Sequence, residues 1–175
     1  LALGESAHRR SLLRGQGAEH VVDSSSDSFV DDLTDALRAT GATIAFDAIG
    51  GGELAGTVLS RMEKVASEGN EFSRYGSDTM KQVYIYGSLD RSPTVLNRTF
   101  GLSWAVSGWL LTPFLANAGP EVTLRLRERV SSEISTTFAS SYGMRLSLDE
   151  AVDPDQVRRY AQMATGDKAL ITPHA

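Results

Sequence analysis

Cysteine is absent from the 175 residues, so neither disulfides nor thiolate-ligated zinc sites are open to this chain. Histidine is scarce: His8, His20 and His174 are scattered, with no Glu-rich helical pair beside them. A zinc site needs about four convergent ligands, so no metal is expected. Positive charge is not in excess, since the net charge of −5 offers nothing to nucleic acid or an anionic membrane. Long apolar runs are missing too. The longest, near Trp104–Leu115, is broken by Ser107, Gly108, Thr112 and Pro113 and falls short of the ~20 residues a span requires. No Gly-x-Ser-x-Gly elbow or Ser/His/Asp constellation appears, which removes the common nucleophilic hydrolases. The chain opens at Leu1, and Leu1-Ala-Leu3 is too short for a signal-peptide core. A soluble, cytoplasmic protein with a segment missing upstream is therefore expected.

What is present is a soluble globular composition, 41% apolar and 22% charged, enough for one domain or one domain with a small appendage. The segment Thr43-Ile-Ala-Phe-Asp-Ala-Ile-Gly-Gly-Gly52 carries the most information. It reads as a buried parallel strand that ends at an aspartate and opens into glycines, where a ligand can approach bare backbone. Val83-Tyr-Ile-Tyr-Gly-Ser-Leu89 repeats the idea. No phosphate-binding glycine loop precedes either. Around them the spacing predicts a short helix over His8–Arg14, a strand at 18–22 and turn and N-cap chemistry at Asp23–Asp27. A helix from Phe29 to Gly41, a strand at 43–49, a helix at about 52–66 and a strand at 82–88 follow. Ser67–Lys81 is long enough to be an excursion. This alternation is the pattern of a doubly wound parallel sheet, with Asp23-Ser24, Asp47–Gly52 and Gly87-Ser88 on one rim.

The later half predicts a buried strand at Leu102–Leu111 and an amphipathic helix from about Pro120 to Ile134. Extended chain is expected over Thr137–Leu148. Ser147-Leu-Asp-Glu150 has the spacing of a capping box, opening a helix to about Ala164 that Pro154 interrupts or restarts. A turn and short strand close the chain at Gly166–Pro173.

Four blocks, Gln16–Asp23, Thr43–Gly51, Val83–Ser88 and Ala164–Pro173, stand in an order and spacing that resemble the C-terminal half of the medium-chain dehydrogenase/reductases. The resemblance is to their zinc-independent, quinone oxidoreductase-like branch. It implies an α/β fold, a partial Rossmann-type doubly wound parallel sheet with a C-terminal segment returning toward a catalytic lobe. Residues 1–135 would form the partial dinucleotide-binding domain, and 136–175 the C-terminal segment of the catalytic domain. The first strand, the glycine-rich loop and the N-terminal catalytic lobe of that family have no counterpart here. The implied activity is NADPH-dependent hydride transfer to a quinone or conjugated carbonyl acceptor, by a homodimer, with the isolated chain inactive. A non-catalytic nucleotide-binding or dimerisation module is the alternative. A Rossmann-like methyltransferase shares the strand-Asp-Gly pattern but does not predict the Thr-Gly-Asp-Lys block.

The resemblance also implies site residues. Arg9 lines up with the basic residue for the adenosine 2′-phosphate, with Ser6 as an added donor, Arg10 as a nearby substitute and Glu5 opposing. Asp47 either lies near the ribose or caps the following helix or ties the turn together, and the cap is the favoured reading. Ile49 and Gly50 would let the cofactor come close, while Tyr86, Gly87 and Ser88 sit where the family strand reaches the nicotinamide riboside. Ser24 stands where relatives often carry tyrosine. Trp104 and Trp109 belong either to a strand pairing across a dimer two-fold or to the core. The 67–81 excursion would fold over a neighbour or over the cleft.

Overall fold

The computed structural model describes residues 1–3, 7–139, 142–161 and 168–173, without the side chains of residues 7–9. Two compact units emerge, residues 1–114 and 115–175.

In the first unit, β1 (Ala2–Leu3), α1 (Ala7–Gly15) and β2 (Val21–Val22) are followed by α2 (Phe29–Thr40) and β3 (Ile44–Asp47). Then come α3 (Leu54–Ala66), β4 (Lys81–Ile85) and β5 (Trp104–Gly108). All pairings are parallel, as the strand–helix alternation predicts. The hydrogen-bonded sheet is nevertheless in two pieces, β1-β2 and β3-β4-β5. In the usual order 3-2-1-4-5-6 of such sheets, the break falls where the first strand would stand. Both pieces share one core: Leu3 and Val22 pack with Leu33 and Leu37 of α2, Val58, Leu59 and Met62 of α3, and Val83 of β4.

Helix ends follow local chemistry at some positions and not at others. Gly41 (φ 62°) closes α2 in the left-handed conformation, its N–H donating to the Leu37 carbonyl, as the sequence predicts. The expected N-cap at the serine cluster does not form. Ser28 precedes α2 with φ −83° and ψ 1°, outside the extended conformation of a capping residue, and makes no capping bond; its hydroxyl donates to Asp32. Period-two alternation in β3 and β4 turns Ala45, Val83 and Ile85 toward the core. Ile44 and Phe46, which alternate with them, are 56% and 62% exposed, with Phe46 stacked on Tyr84 at 5.4 Å. The segment 102–111 is a shorter strand than expected, and an edge strand: Trp104 and Val106 pack against the core, while Ser107 and Gly108 are exposed.

The excursion between α3 and β4 is anchored from beneath. Lys81 is wholly buried and its Nζ donates to the Glu63 carboxylate at 2.5 Å, to Ser77 Oγ and to the Thr79 carbonyl. Glu63 also accepts from Ser67 Oγ and from the backbone N–H and hydroxyl of Ser77. Burial pushes the Glu63 carboxyl up. The Lys81 ammonium and the serine donors outweigh it and bring the pKa down to about 2 from 4.5.

In the second unit a helix, α4 (Leu111–Ser132), begins inside the first and bends at Gly119 (φ 82°, ψ 174°), just before Pro120. It starts earlier than the predicted helix because residues 111–118 are helical as well, up to that kink. Residues 133–139 are mostly turn rather than extended chain. Beyond them β6 (Met144–Leu146) pairs in parallel with β7 (Ala169–Ile171). Between these strands lie α5 (Leu148–Ala151) and α6 (Pro154–Tyr160). The capping box forms: Ser147 Oγ accepts from the Glu150 N–H, and the Ser147 N–H donates back to the Glu150 carboxylate. Pro154 restarts the helix behind an Asp153 cap. Residues 162–167, which hold most of the Thr-Gly-Asp-Lys block, lie outside the described residues.

Lys81→Met leaves a buried carboxylate without its cation and is expected to cost about 3 kcal/mol in urea unfolding near pH 7. The Glu63→Gln/Lys81→Met pair should cost less than the sum of the single changes. Because the folded Glu63 pKa lies below the unfolded value, its stabilisation is complete above about pH 5 and is lost as pH falls toward about 2. The acid limb of the stability curve should therefore flatten in Glu63→Gln.

Candidate functional site

Asp47, Ile85 and Gly108 occupy one row across β3, β4 and β5, so the three strands end together on one rim. The ladder runs one step further, with Tyr86 N–H donating to the Asp47 carbonyl and Trp109 N–H to the Ile85 carbonyl. Beyond that row the chain turns away from each strand next to a glycine.

Asp47 is buried, and its Oδ1 accepts from the backbone N–H of Ile49 at 2.8 Å and of Gly50 at 3.3 Å. Its carboxylate ties the turn. It does not cap α3, which Glu53 precedes with no side-chain capping bond. Asp47 Oδ2 is buried with no hydrogen-bond partner among the described residues.

The glycines after β3 and β4 are accounted for by each other. Gly50 has φ 86°, and a β-carbon there would lie 2.7 Å from the Gly87 carbonyl oxygen. One on Gly87 would lie 2.2 Å from the Ala48 carbonyl oxygen. The two turns pass in backbone contact, which no side chain can enter. Residues 51–56 are then covered by the chain itself. Gly52 N–H donates to Ser92 Oγ and the Pro93 carbonyl, Val95 N–H donates to the Gly52 carbonyl, and Thr94 Oγ1 to the Gly50 carbonyl. A β-carbon on Gly51 would lie 2.6 Å from Asp90 Cγ. The Ser92 backbone N–H and hydroxyl hold Asp90 below the usual carboxylate range. Gly50-Gly-Gly-Glu-Leu-Ala55 has the Gly-x-Gly-x-x-Ala spacing of a pyrophosphate turn between a strand and a helix. Here that turn is filled, and an anion over it would meet the Asp90 carboxylate. It is not a phosphate cradle.

The open part of the rim lies over β4 and β5. A shallow groove of about 450 Å³ is lined by Tyr86, Gly87, Ser88, Gly108, Trp109 and Leu110, among others. Beyond its own chain neighbours, no atom of the described residues lies within 4 Å of the space a Gly108 β-carbon would take. Trp109 packs against Phe114 with ring centroids 5.5 Å apart. Tyr86, Gly87 and Ser88 thus share one groove, whereas Asp47 and Gly50 lie behind it in the turn. Gly108, Trp109 and Leu110 were missed from the sequence because 102–111 reads as one buried strand. The signal was there: Ser107-Gly108 repeats the strand-then-glycine pattern of Ile85-Tyr-Gly87.

On the β2 side, the Arg10 guanidinium is paired with Asp23. Asp23 also accepts from the Ser25 hydroxyl and backbone N–H, and these donors, with Arg10, hold its carboxyl below the usual range. Ser6 and the Arg9 side chain lie outside the described residues. Among the described residues no group of three or more acidic or histidine side chains could hold a metal ion. No described helix is long and apolar enough to cross a membrane.

No family model and no curated protein matches this sequence. Solved structures do match. A Mesorhizobium loti protein assigned as an NADPH:quinone reductase aligns with 98% of this chain and 45% of its own length, at TM-score 0.70 and 20% identity. A mutant form of enoyl thioester reductase from Candida tropicalis aligns at TM-score 0.57 and 14% identity, over 98% of this chain and 46% of its own. The CurK enoyl reductase aligns at 0.57 and 12%, over 98% and 47%. The fold is that of these reductases. The chain spans less than half the length of each. At such identities the likeness is one of fold, and it matches the partial Rossmann architecture expected from the four sequence blocks.

Gly87→Ala and Gly50→Ala should each destabilise by about 2 kcal/mol or more, since a backbone oxygen must move and Gly50 adds a left-handed φ. Gly108→Ala should stay within about 0.5 kcal/mol of the parent in the same denaturation series.

Proposed function

We propose that this chain forms the C-terminal, nicotinamide-facing side of the cofactor cleft of an NADPH-dependent oxidoreductase that reduces a quinone or conjugated carbonyl acceptor. One observation carries the reading: three parallel strands end in one row, and the open groove over β4 and β5 joins Tyr86, Gly87 and Ser88 to Gly108 and Trp109. Ligands of open α/β sheets bind outside such strand ends. The names of the structural neighbours support the reaction class.

The residues present fit the nicotinamide side. Bare backbone at Gly108 lets a flat ring approach, the Ser88 hydroxyl is exposed and able to bond a carboxamide or ribose, and Tyr86 offers an aromatic wall. NADPH, when bound, supplies the hydride. The protein's part is to orient the ring and keep water from it, and this requires no acid or base from the chain. The phosphate side fits less well, because the glycine turn before α3 is already bonded and carries Asp90. Arg10 is committed to Asp23, so Arg9, with Ser6, remains the candidate for the 2′-phosphate. Dimerisation through the free edge of β5 and a cytoplasmic setting belong to the same proposal.

On this reading the 175-residue chain alone binds NADPH weakly and turns nothing over. In an NMR titration NADPH should shift the amides of Gly87, Ser88, Gly108 and Trp109, and Gly108→Leu should abolish those shifts. Unmoved groove amides at about 10 mM NADPH would sink the site assignment. Tight, NADPH-selective binding by calorimetry would contradict the expected weakness of the isolated chain.

A further inference from the structure

The larger hollow of the first unit, about 690 Å³, lies at the opposite end of the sheet, beside the start of β4, where Glu63 meets Lys81. One wall is the excursion 70–77 and the other is the segment 98–102. The walls are pinned together. Leu102 N–H donates to the Tyr75 carbonyl, and a β-carbon on Gly76 would lie 2.6 Å from Gly101 Cα. Ser77 ties the excursion to the Glu63 carboxylate. A long surface loop held this firmly is a built structure.

Its chemistry is unlike that of an ordinary loop surface. Arg74 lies with its guanidinium carbon 5.2 Å from the Tyr75 ring centroid. Arg98 is the non-glycine residue with positive φ (57°) among the described residues, and backbone held in that region points to a local function. Neither guanidinium has an ion-pair or hydrogen-bond partner among the described residues. Phe72 is 95% exposed at the mouth, where a large apolar side chain is otherwise unfavourable. Two arginines therefore face one unpaired carboxylate in the lining, Glu71, because Glu63 is neutralised by Lys81. The surplus is one positive charge beside exposed aromatic surface.

We infer that this hollow is a second small-molecule site, which takes a flat aromatic monoanion such as an aromatic carboxylate. Arg74 and Arg98 hold the carboxylate, and Phe72 and Tyr75 contact the ring. Guanidinium groups pair with carboxylates in two-point geometry and stack on aromatic faces, so both halves of the ligand are met. The site is separate from the groove at the strand C-termini and does not rest on the reductase reading.

The probe is 1-naphthoate, titrated into the isotope-labelled 175-residue chain, with 1-naphthalenemethanol as the neutral analogue and inorganic phosphate as the anion without a ring. Naphthoate should shift the amides of residues 70–77 and 98–102 and bind about tenfold tighter than the alcohol, with phosphate weaker still. Arg98→Gly should weaken naphthoate about tenfold without lowering the thermal midpoint, because glycine accepts the left-handed conformation. Arg74→Gln should weaken it in the same direction. Equal binding of naphthoate and the alcohol, an Arg98→Gly variant that binds as well as the parent, shifts confined to the groove residues Gly87, Ser88, Gly108 and Trp109, or no shift at about 10 mM naphthoate would each overturn the assignment.

Discussion

The Ala48 carbonyl oxygen stands 2.2 Å from where a β-carbon on Gly87 would be, and the Gly87 carbonyl stands 2.7 Å from the same atom on Gly50. This mutual exclusion of side chains sets the shape of the rim. It lets the turn after β3 lean on the end of β4. The chain from Leu89 to Val95 can then lie across the glycine turn, through bonds from Leu89 and Asp90 to Ala48 and Ile49 and from Val95 to Gly52. Once that turn is covered, the groove opens over the ends of β4 and β5. Glycines that read as a landing place for a ligand serve first as the condition for two backbones to touch.

The other end of the sheet is governed by charge. Taking Lys81 fully out of water is tolerable because Glu63 and two further acceptors meet its ammonium, while Glu63 itself receives three serine donors. The pair crosses from α3 to β4 and gathers the loop between them. A sheet held by backbone contact at one end and by a buried ion pair at the other can present different chemistry at its two ends without distorting the core between them.

Much of this was legible in the chain. Alternating strand and helix patterns gave the parallel pairing, and Gly41 and the Ser147/Glu150 box gave helix ends, while Asp47, favoured as a helix cap, ties its own turn, the other option left open beside it. What escaped reading depends on residues distant in sequence. Nothing near Gly51 announces that Asp90 lies over it, and nothing near Glu63 announces Lys81. The missing cap at Ser28 goes with its backbone (φ −83°, ψ 1°), which is not the extended conformation that the capping Ser147 adopts and which residue type alone does not reveal. The edge character of β5 was hidden because an apolar run looks the same whether buried on two sides or one. The break in the sheet was not read from the chain, whose alternation predicts one doubly wound sheet; it appears as two hydrogen-bonded pieces around one core.

The separation of groove from glycine turn has a consequence for how a dinucleotide would be held. A nicotinamide ring needs shape and a few bonds, which Gly87, Ser88, Gly108 and Trp109 can offer. A pyrophosphate needs unpaired N–H donors or cations. In this chain the donors of the α3 turn are partly consumed by Ser92 and Pro93, and Asp90 adds repulsion. Arg10, the described cation beside β2, is neutralised by Asp23. Orientation of the ring and affinity for the charged half are therefore supplied by different surfaces. On the reductase reading, the residues described here orient the reacting end of the cofactor, and most of its binding energy comes from groups outside the groove.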